Sequence, residues 1–285
     1  MKCLLCPNNC NVDRDKNLGY CLSNNSLKIS KYAPFFYEEP IVSGSMGSGA
    51  IFFTGCSLKC KFCQNFELSR NMRGKAISFL DFKDIISNLV TLKVHNINLV
   101  NPTHYVELLN QYFAKFPCEI PIVYNTHGYE KIESLKQAEN FTNIYLTDLK
   151  YFSPTRSKRY CTKEDYFKFA SSAILEMVKQ KPLVIENGII KSGVIVRHLI
   201  LPQNTDESIN IINWYKDNVG DSAYLSVMSQ YTPFGEIENL KELQRPITNR
   251  ERNKVYEHLF LQELKNVFVQ EKQSADTCYI PDWDF

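Results

Sequence analysis

A chain of 285 residues with 44% hydrophobic content can bury a large core, which excludes disorder throughout and suits one barrel-sized α/β domain or two smaller units. Its 33 basic and 31 acidic residues leave a formal charge of +2 with the two signs interspersed, so no basic run points to nucleic acid. No stretch approaches about eighteen uninterrupted apolar residues and the opening MKCLLCPNNC is no secretory signal, so a soluble, cytoplasmic protein without a membrane partner is expected.

Residues 1–30 are polar and rich in Cys and Asn (CPNNCNVDRDKNLGYC), with too few apolar side chains to build a core unless a metal ties the loop together. Cys3, Cys6, Cys10 and Cys21 follow a Cys-x2-Cys-x3-Cys-x10-Cys spacing, enough for a four-thiolate site. Zinc and an auxiliary iron-sulfur cluster both suit such ligands, and the spacing does not choose between them. Seven of the ten cysteines fall before residue 64 at metal-ligand spacings, which favours reduced thiolates over disulfides. GSMGSG, from Gly44 to Gly49, lacks the Lys and Ser or Thr of a P-loop and reads as a flexible lead-in to the first strand.

From about residue 50, short β-rich runs alternate with amphipathic segments, the pattern of repeated βα units on a parallel sheet. Strands are predicted at 50–54, 97–100, 122–125, 144–149, 194–201 and 224–228, with a seventh at 267–270. Helices are predicted at 79–92, 105–116, 165–179, 207–214 and 249–264, several opened by Asp, Thr or Ser. The expected fold is α/β, a partial barrel of the (β/α)6 type over residues 31–271, preceded by the Cys-rich metal-binding segment and followed by a tail at 272–285. Chemistry in such barrels gathers at the C-terminal strand ends, which here read GCSLKCKFCQN, NPTH, NTHGY, TDLKY, RHLILPQN and MSQYTP.

The segment TGCSLKCKFCQN places Cys56, Cys60 and Cys63 with three and then two residues between them, directly after a strand. Three thiolates on one loop can hold three irons of a cubane cluster and leave the fourth open to a cofactor, whereas a zinc loop would want a fourth protein ligand, with His104 or His127 as the candidates within reach. This motif resembles that of the radical S-adenosylmethionine (SAM) superfamily. The resemblance implies a 4Fe-4S cluster on Cys56, Cys60 and Cys63, SAM chelated to its open iron, and reductive cleavage of SAM to methionine and a 5'-deoxyadenosyl radical. Together with the N-terminal cysteines, NLVNPTHYV, PIVYNTHGYE, YLTDLKY, GVIVRHLILP and LSVMSQYTP, the chain resembles an uncharacterised group within it related to pyruvate formate-lyase activating enzyme. The activases carry extra clusters after the motif, whereas the extra cysteines here precede it.

That resemblance implies a set of cofactor-binding residues. Phe62 matches the aromatic position lying against adenine. Asn98, Asn101 and Thr103 occupy the place of a Gly-Gly-Glu type motif that binds the SAM amino group. Asp148 and Lys150 resemble the Asp-x-Lys pair near the ribose and carboxylate, Arg197 the residue that contacts the carboxylate or bridges to that pair, and Asn125 a further polar contact. Arg197 also stands out without it, because a charge inside GVIVRHLILP must find a polar surrounding. Gln230 and Tyr231 would line the substrate side. His104, His127 and His198 read as structural, Cys118, Cys161 and Cys278 as thiols without a pattern, and Phe35, Phe36, Tyr37, Trp283 and Phe285 as packing residues.

The leading expectation is a radical SAM oxidoreductase that takes hydrogen from a protein glycine, another peptide residue or a small molecule, served by an electron donor such as flavodoxin or ferredoxin. A radical SAM peptide maturase with an auxiliary cluster, and a non-catalytic metal or redox-sensing protein, are the competing readings. No catalytic hydrogen donor is assigned.

Overall fold

The computed structural model describes residues 2–270, so Cys278, Trp283 and Phe285 and the expected tail lie outside the described residues. Its ten strands are β1 (Lys28–Phe35), β2 (Ser48–Phe53), β3 (Lys75–Ala76), β4 (Ile97–Val100), β5 (Ile122–Thr126), β6 (Ile144–Asp148), β7 (Val184–Glu186), β8 (Ile189–Leu199), β9 (Tyr224–Met228) and β10 (Val267–Val269). They form one sheet in the order β10-β9-β8-β6-β5-β4-β2-β1-β3, with β7 hairpinned onto β8. From β2 to β10 every neighbouring pair on this path is parallel. The order does not close on itself among the described residues, which makes an open, partial barrel.

Nine helices are described: α1 (Pro40–Ser43), α2 (Phe66–Ser69), α3 (Phe79–Thr91), α4 (Val106–Lys115), α5 (Ile132–Ala138), α6 (Pro154–Cys161), α7 (Tyr166–Gln180), α8 (Thr205–Asn218) and α9 (Asn249–Phe260). Two begin with reciprocal caps, Ser78 with Asp81 at α3 and Thr248 with Glu251 at α9, which satisfy backbone N–H groups that a first helical turn leaves open. β2, β5 and β6 are buried at every position, as parallel strands covered on both faces must be. Phe82, Leu89, Leu109, Tyr112, Ile174 and Met177 carry the helices onto the sheet, each fully buried side chain contributing about 1.5–3 kcal/mol.

Every strand predicted from the sequence forms, with end shifts of a few residues; β8 starts earlier, at Ile189, because it first pairs with β7. β1, β3, β7, α1, α2, α5 and α6 have no counterpart among the predicted elements. β1, KISKYAPF, pairs antiparallel to β2 and β3 and carries Lys and Pro, so it shows neither a clean alternation nor a continuous apolar run. The flexible lead-in expected at Gly44 to Gly49 is instead built structure. α1 precedes it, Ser48 and Gly49 already belong to β2, and the buried Ser48 hydroxyl donates to Asn96 Oδ1 at 2.5 Å.

Candidate active site

Parallel strands bring their C-terminal ends to one side of the sheet, and there a cavity of about 290 Å³ opens. The chain leaves β2 through Gly55 at φ +85°, a conformation open to glycine, and an added Cβ would lie 2.5 Å from Cys21 O. The loop that follows turns Cys56, Cys60 and Cys63 into the cavity wall. Each sulfur receives a donor: Leu58 N–H to Cys56 Sγ at 3.4 Å, Tyr151 O–H to Cys60 Sγ at 3.8 Å and Ser69 O–H to Cys63 Sγ at 3.4 Å.

Without a cation these thiols resist ionisation. Burial, then the neighbouring Cys63, pushes Cys56 up to about 12. Cys60 is raised by the neighbouring Cys161 thiol and by burial, and Cys63 by burial. A positively charged metal core would supply the missing counter-charge, so the donor set fits an iron-sulfur cluster. Of the two histidines considered as a fourth ligand, His127 is engaged at both ring nitrogens, while His104 lies off the cavity wall with its Nδ1 unpartnered. His127 accepts Tyr129 N–H on Nδ1 at 3.1 Å, which leaves Nε2–H for Ser57 Oγ at 2.8 Å, while His104 Nε2 meets Thr54 O at 2.7 Å. Burial pushes both down to about 3, so both are neutral. Among the described residues no three His, Cys, Asp or Glu side chains are drawn together tightly enough for a single metal ion.

Across the cavity, Arg197 of β8 is held on three sides. Its Nε donates to Asp148 Oδ1 at 3.0 Å, Nη1 to Glu38 Oε2 at 3.2 Å and Nη2 to Asn125 Oδ1 at 2.7 Å. Lys150 Nζ donates to the other Asp148 oxygen at 2.5 Å. Glu38 in turn accepts from Asn98 at 2.8 Å and Asn125 at 3.2 Å. Burial alone would raise Asp148, but Lys150 and Arg197 hold it below its ordinary value. Burial lifts Glu38 despite Arg197, whereas Asp148 lifts Lys150 against the effect of burial. Two carboxylates and two cations thus form a charge-balanced wall.

Asn101 sits between wall and cluster loop. Its φ of 62° is one Asn tolerates, its Nδ2 donates to Gly55 O at 2.6 Å, and its buried Oδ1 has no partner. Phe62 closes the side, edge-on to Tyr160 and Tyr231 at 6.2 and 5.8 Å between ring centres.

Of the cofactor-binding residues expected from the sequence, Phe62, Asn101, Asn125, Asp148, Lys150 and Arg197 line this cavity, as do Gln230 and Tyr231. Asn98 lies behind Glu38 and off the cavity wall. Thr103 stands apart, buried, its hydroxyl 2.5 Å from Glu130 Oε1 and 3.3 Å from Thr126 Oγ1. His198 is structural: Nδ1 meets Leu149 O and Nε2 meets Ser208 Oγ, both at 2.8 Å. Sequence reasoning missed Glu38, whose one signal was an acidic pair inside the aromatic FFYEEP, and the contact of Cys161 and Tyr151 with Cys60, for which no spacing gave a sign.

No family model matches the chain. It is 26% identical over 264 residues to an uncharacterised protein of Methanocaldococcus jannaschii, covering 90% of this chain and 73% of that protein. Over 191 residues it is 25% identical to the 7-carboxy-7-deazaguanine synthase of Clostridium acetobutylicum, covering 63% of this chain and 83% of that enzyme. Among solved structures, Streptococcus suis SuiB bound to S-adenosylmethionine superposes with a TM-score of 0.55 at 13% identity over 81% of this chain and 51% of SuiB. SuiB bound to its precursor peptide SuiA gives 0.54 at 12% identity, over 77% of this chain and 47% of that one. Methylornithine synthase, PylB, gives 0.52 at 14% identity, covering 80% of this chain and 73% of PylB. These solved structures are radical SAM enzymes, and their barrel-type α/β fold with a parallel sheet is matched by this chain, which spans about half the length of SuiB.

Proposed function

We propose that the chain is a radical SAM enzyme in which Cys56, Cys60 and Cys63 hold a 4Fe-4S cluster and the cavity takes S-adenosylmethionine. The observation that carries this reading is that three thiols with no fourth protein ligand open onto the same cavity as a charge-balanced polar wall. Cluster and SAM together supply reductive cleavage to methionine and a 5'-deoxyadenosyl radical, which abstracts hydrogen from the substrate. The chain contributes binding and orientation. The methionine end of SAM is a zwitterion, and Arg197 and Lys150 beside Glu38 and Asp148 offer partners to both of its charges. The unpartnered Oδ1 of Asn101 is an acceptor for the ammonium, and the ring of Phe62 a surface for adenine.

Gln230, Tyr231 and Thr232 bound the side left for the substrate. A protein glycine, another peptide residue or a small molecule would each present a hydrogen there, and the fold shared with peptide-bound SuiB supports a peptide. The electron would come from a flavodoxin or ferredoxin. The test is anaerobic reconstitution with iron and sulfide, dithionite reduction with SAM, and chromatography for 5'-deoxyadenosine in wild type and Cys60→Ala. Product from the wild type alone is expected; a fully clustered protein that neither binds nor cleaves SAM would overturn the reading in favour of a redox-sensing role.

A further inference from the structure

The segment before β1 lies on the back of the cluster loop, and its chemistry is unlike that of the rest of the chain. Between residues 2 and 26 no Leu, Val, Ile or aromatic side chain is buried; the buried positions are Cys6, Pro7, Arg14, Gly19, Cys21 and Ser23. Leu4 and Leu18 are 54% and 59% exposed. A segment with this composition has no hydrophobic core of its own to fix its turns.

Arg14 is 6% exposed, yet it makes no ion pair with Asp or Glu among the described residues. Its Nη1 donates to His104 O and its Nη2 to Asn24 O, both at 2.5 Å, and its Nε has no partner. A buried guanidinium held by two neutral carbonyls lacks the anion that would offset its desolvation. Its charge bears on the thiols of Cys3 and Cys21 as well as on His104 and Tyr105, over whose ring the guanidinium lies 5.8 Å from the centre. Those thiols are neighbours: Cys3 lies close enough to Cys10 for the two to influence each other's ionisation, and a Cβ on Gly19 would lie 3.3 Å from Cys21 Sγ and 3.6 Å from Cys10 Sγ. Cys6 lies near Cys21 and takes Asn8 Nδ2–H on its sulfur at 3.4 Å.

We propose that Cys3, Cys6, Cys10 and Cys21 hold a metal centre as thiolates, that Arg14 is the buried counter-charge of that centre, and that the centre anchors the loop carrying Cys56. A dipositive ion or core on four thiolates keeps net negative charge, whether it is zinc, for which the thiols must draw closer together than they stand, or an iron-sulfur cluster, and a buried cation beside it is then paired. The anchoring contacts are direct. Cys56 N–H donates to Cys21 O at 3.2 Å, Asn8 Nδ2–H to Ser57 O at 2.7 Å and Ser23 O–H to Thr54 O at 3.4 Å. Anything that fixes Cys21 therefore fixes the backbone on either side of Gly55.

The test begins with a variant in which Cys56, Cys60 and Cys63 are all Ala, purified anaerobically, with zinc, iron and sulfide per chain measured by mass spectrometry and colorimetry. About one zinc per chain, or iron with matching sulfide, is expected, and either identifies the centre. Adding Cys10→Ser and Cys21→Ser should remove it. A variant with wild-type circular dichroism and no bound metal overturns the proposal. Arg14→Met in the otherwise unaltered chain should release the metal to a chelator at least tenfold faster, with Arg14→Lys between; release at the wild-type rate by both variants removes Arg14 from the centre. Hydrogen exchange of residues 54–63 should quicken about tenfold in Cys10→Ser, and unchanged exchange overturns the anchoring role. None of these readouts involves SAM, so their failure and that of the radical SAM reading are separate results.

Discussion

Two guanidiniums, Arg14 buried and Arg197 half-buried, divide the molecule. Arg197, at the cavity, is met by two carboxylates and an amide oxygen, so the wall around it is electrostatically complete within the protein. Arg14, behind the cluster loop, is met by two backbone carbonyls and the face of Tyr105, with thiols beside it and no carboxylate. The first arrangement explains how a charged pocket can be built before any ligand arrives. The second points to a charge that the folded chain does not itself carry unless its cysteines ionise.

The contrast can be broken most forcefully at Arg197. Arg197→Met leaves Asp148 and Glu38 buried with one cation between them, and the expected loss is about 3–5 kcal/mol of stability, read by denaturant unfolding. Gly55→Ala attacks the junction between the two regions. A side chain at φ +85° is strained and its Cβ would meet Ser23 Oγ at 2.4 Å, so about 1–3 kcal/mol from strain, and more from the collision, should be lost.

A pH series sharpens the same junction. Burial pushes Glu130, whose carboxyl holds Thr103 and Thr126 together, up to about 7 from an ordinary value of 4.5. The unfolded chain then ionises first as pH rises. Stability from this group is fully present below pH 4.5, is lost on the way to pH 7, and should fall by about 3 kcal/mol relative to Glu130→Gln, whose thermal midpoint will lack that component. At the cavity, Asn101→Ala removes both the bond to Gly55 O and the free acceptor, and a loss of about tenfold in SAM affinity, about 1.4 kcal/mol, is expected by calorimetry. The smallest effect belongs to Tyr151→Phe. It deletes one hydrogen bond to Cys60 and should lower the reduction potential of the cluster without changing its iron content.

What could be read from the sequence was whatever repeats or keeps a fixed spacing. The parallel strands announce themselves because both faces are covered and the runs are apolar, and Cys56, Cys60 and Cys63 because a loop of short spacing can carry a cluster. Asp148 and Lys150 were legible as strand-end neighbours, and Arg197 as a charge in an apolar run. Glu38 was not, because it reaches the site from beyond β1, an antiparallel strand with a mixed pattern, and its partners Arg197 and Asn125 are distant in sequence. Asn98 and Thr103 show the opposite case, residues expected at the cavity whose side chains are engaged off its wall. Position near a strand end does not settle which way a polar side chain is used, and here Glu38 and Glu130 claim them. Arg14, inside NVDR, looked like any solvated charge; only its burial makes it informative.

The central claim is that an iron on the Cys56, Cys60 and Cys63 loop lies open to a ligand in the cavity. Electron paramagnetic resonance of the reduced, reconstituted protein before and after addition of SAM tests it most directly. The account predicts a 4Fe-4S signal whose g values shift when SAM is added, and a signal that SAM leaves unchanged at saturating concentration would contradict it.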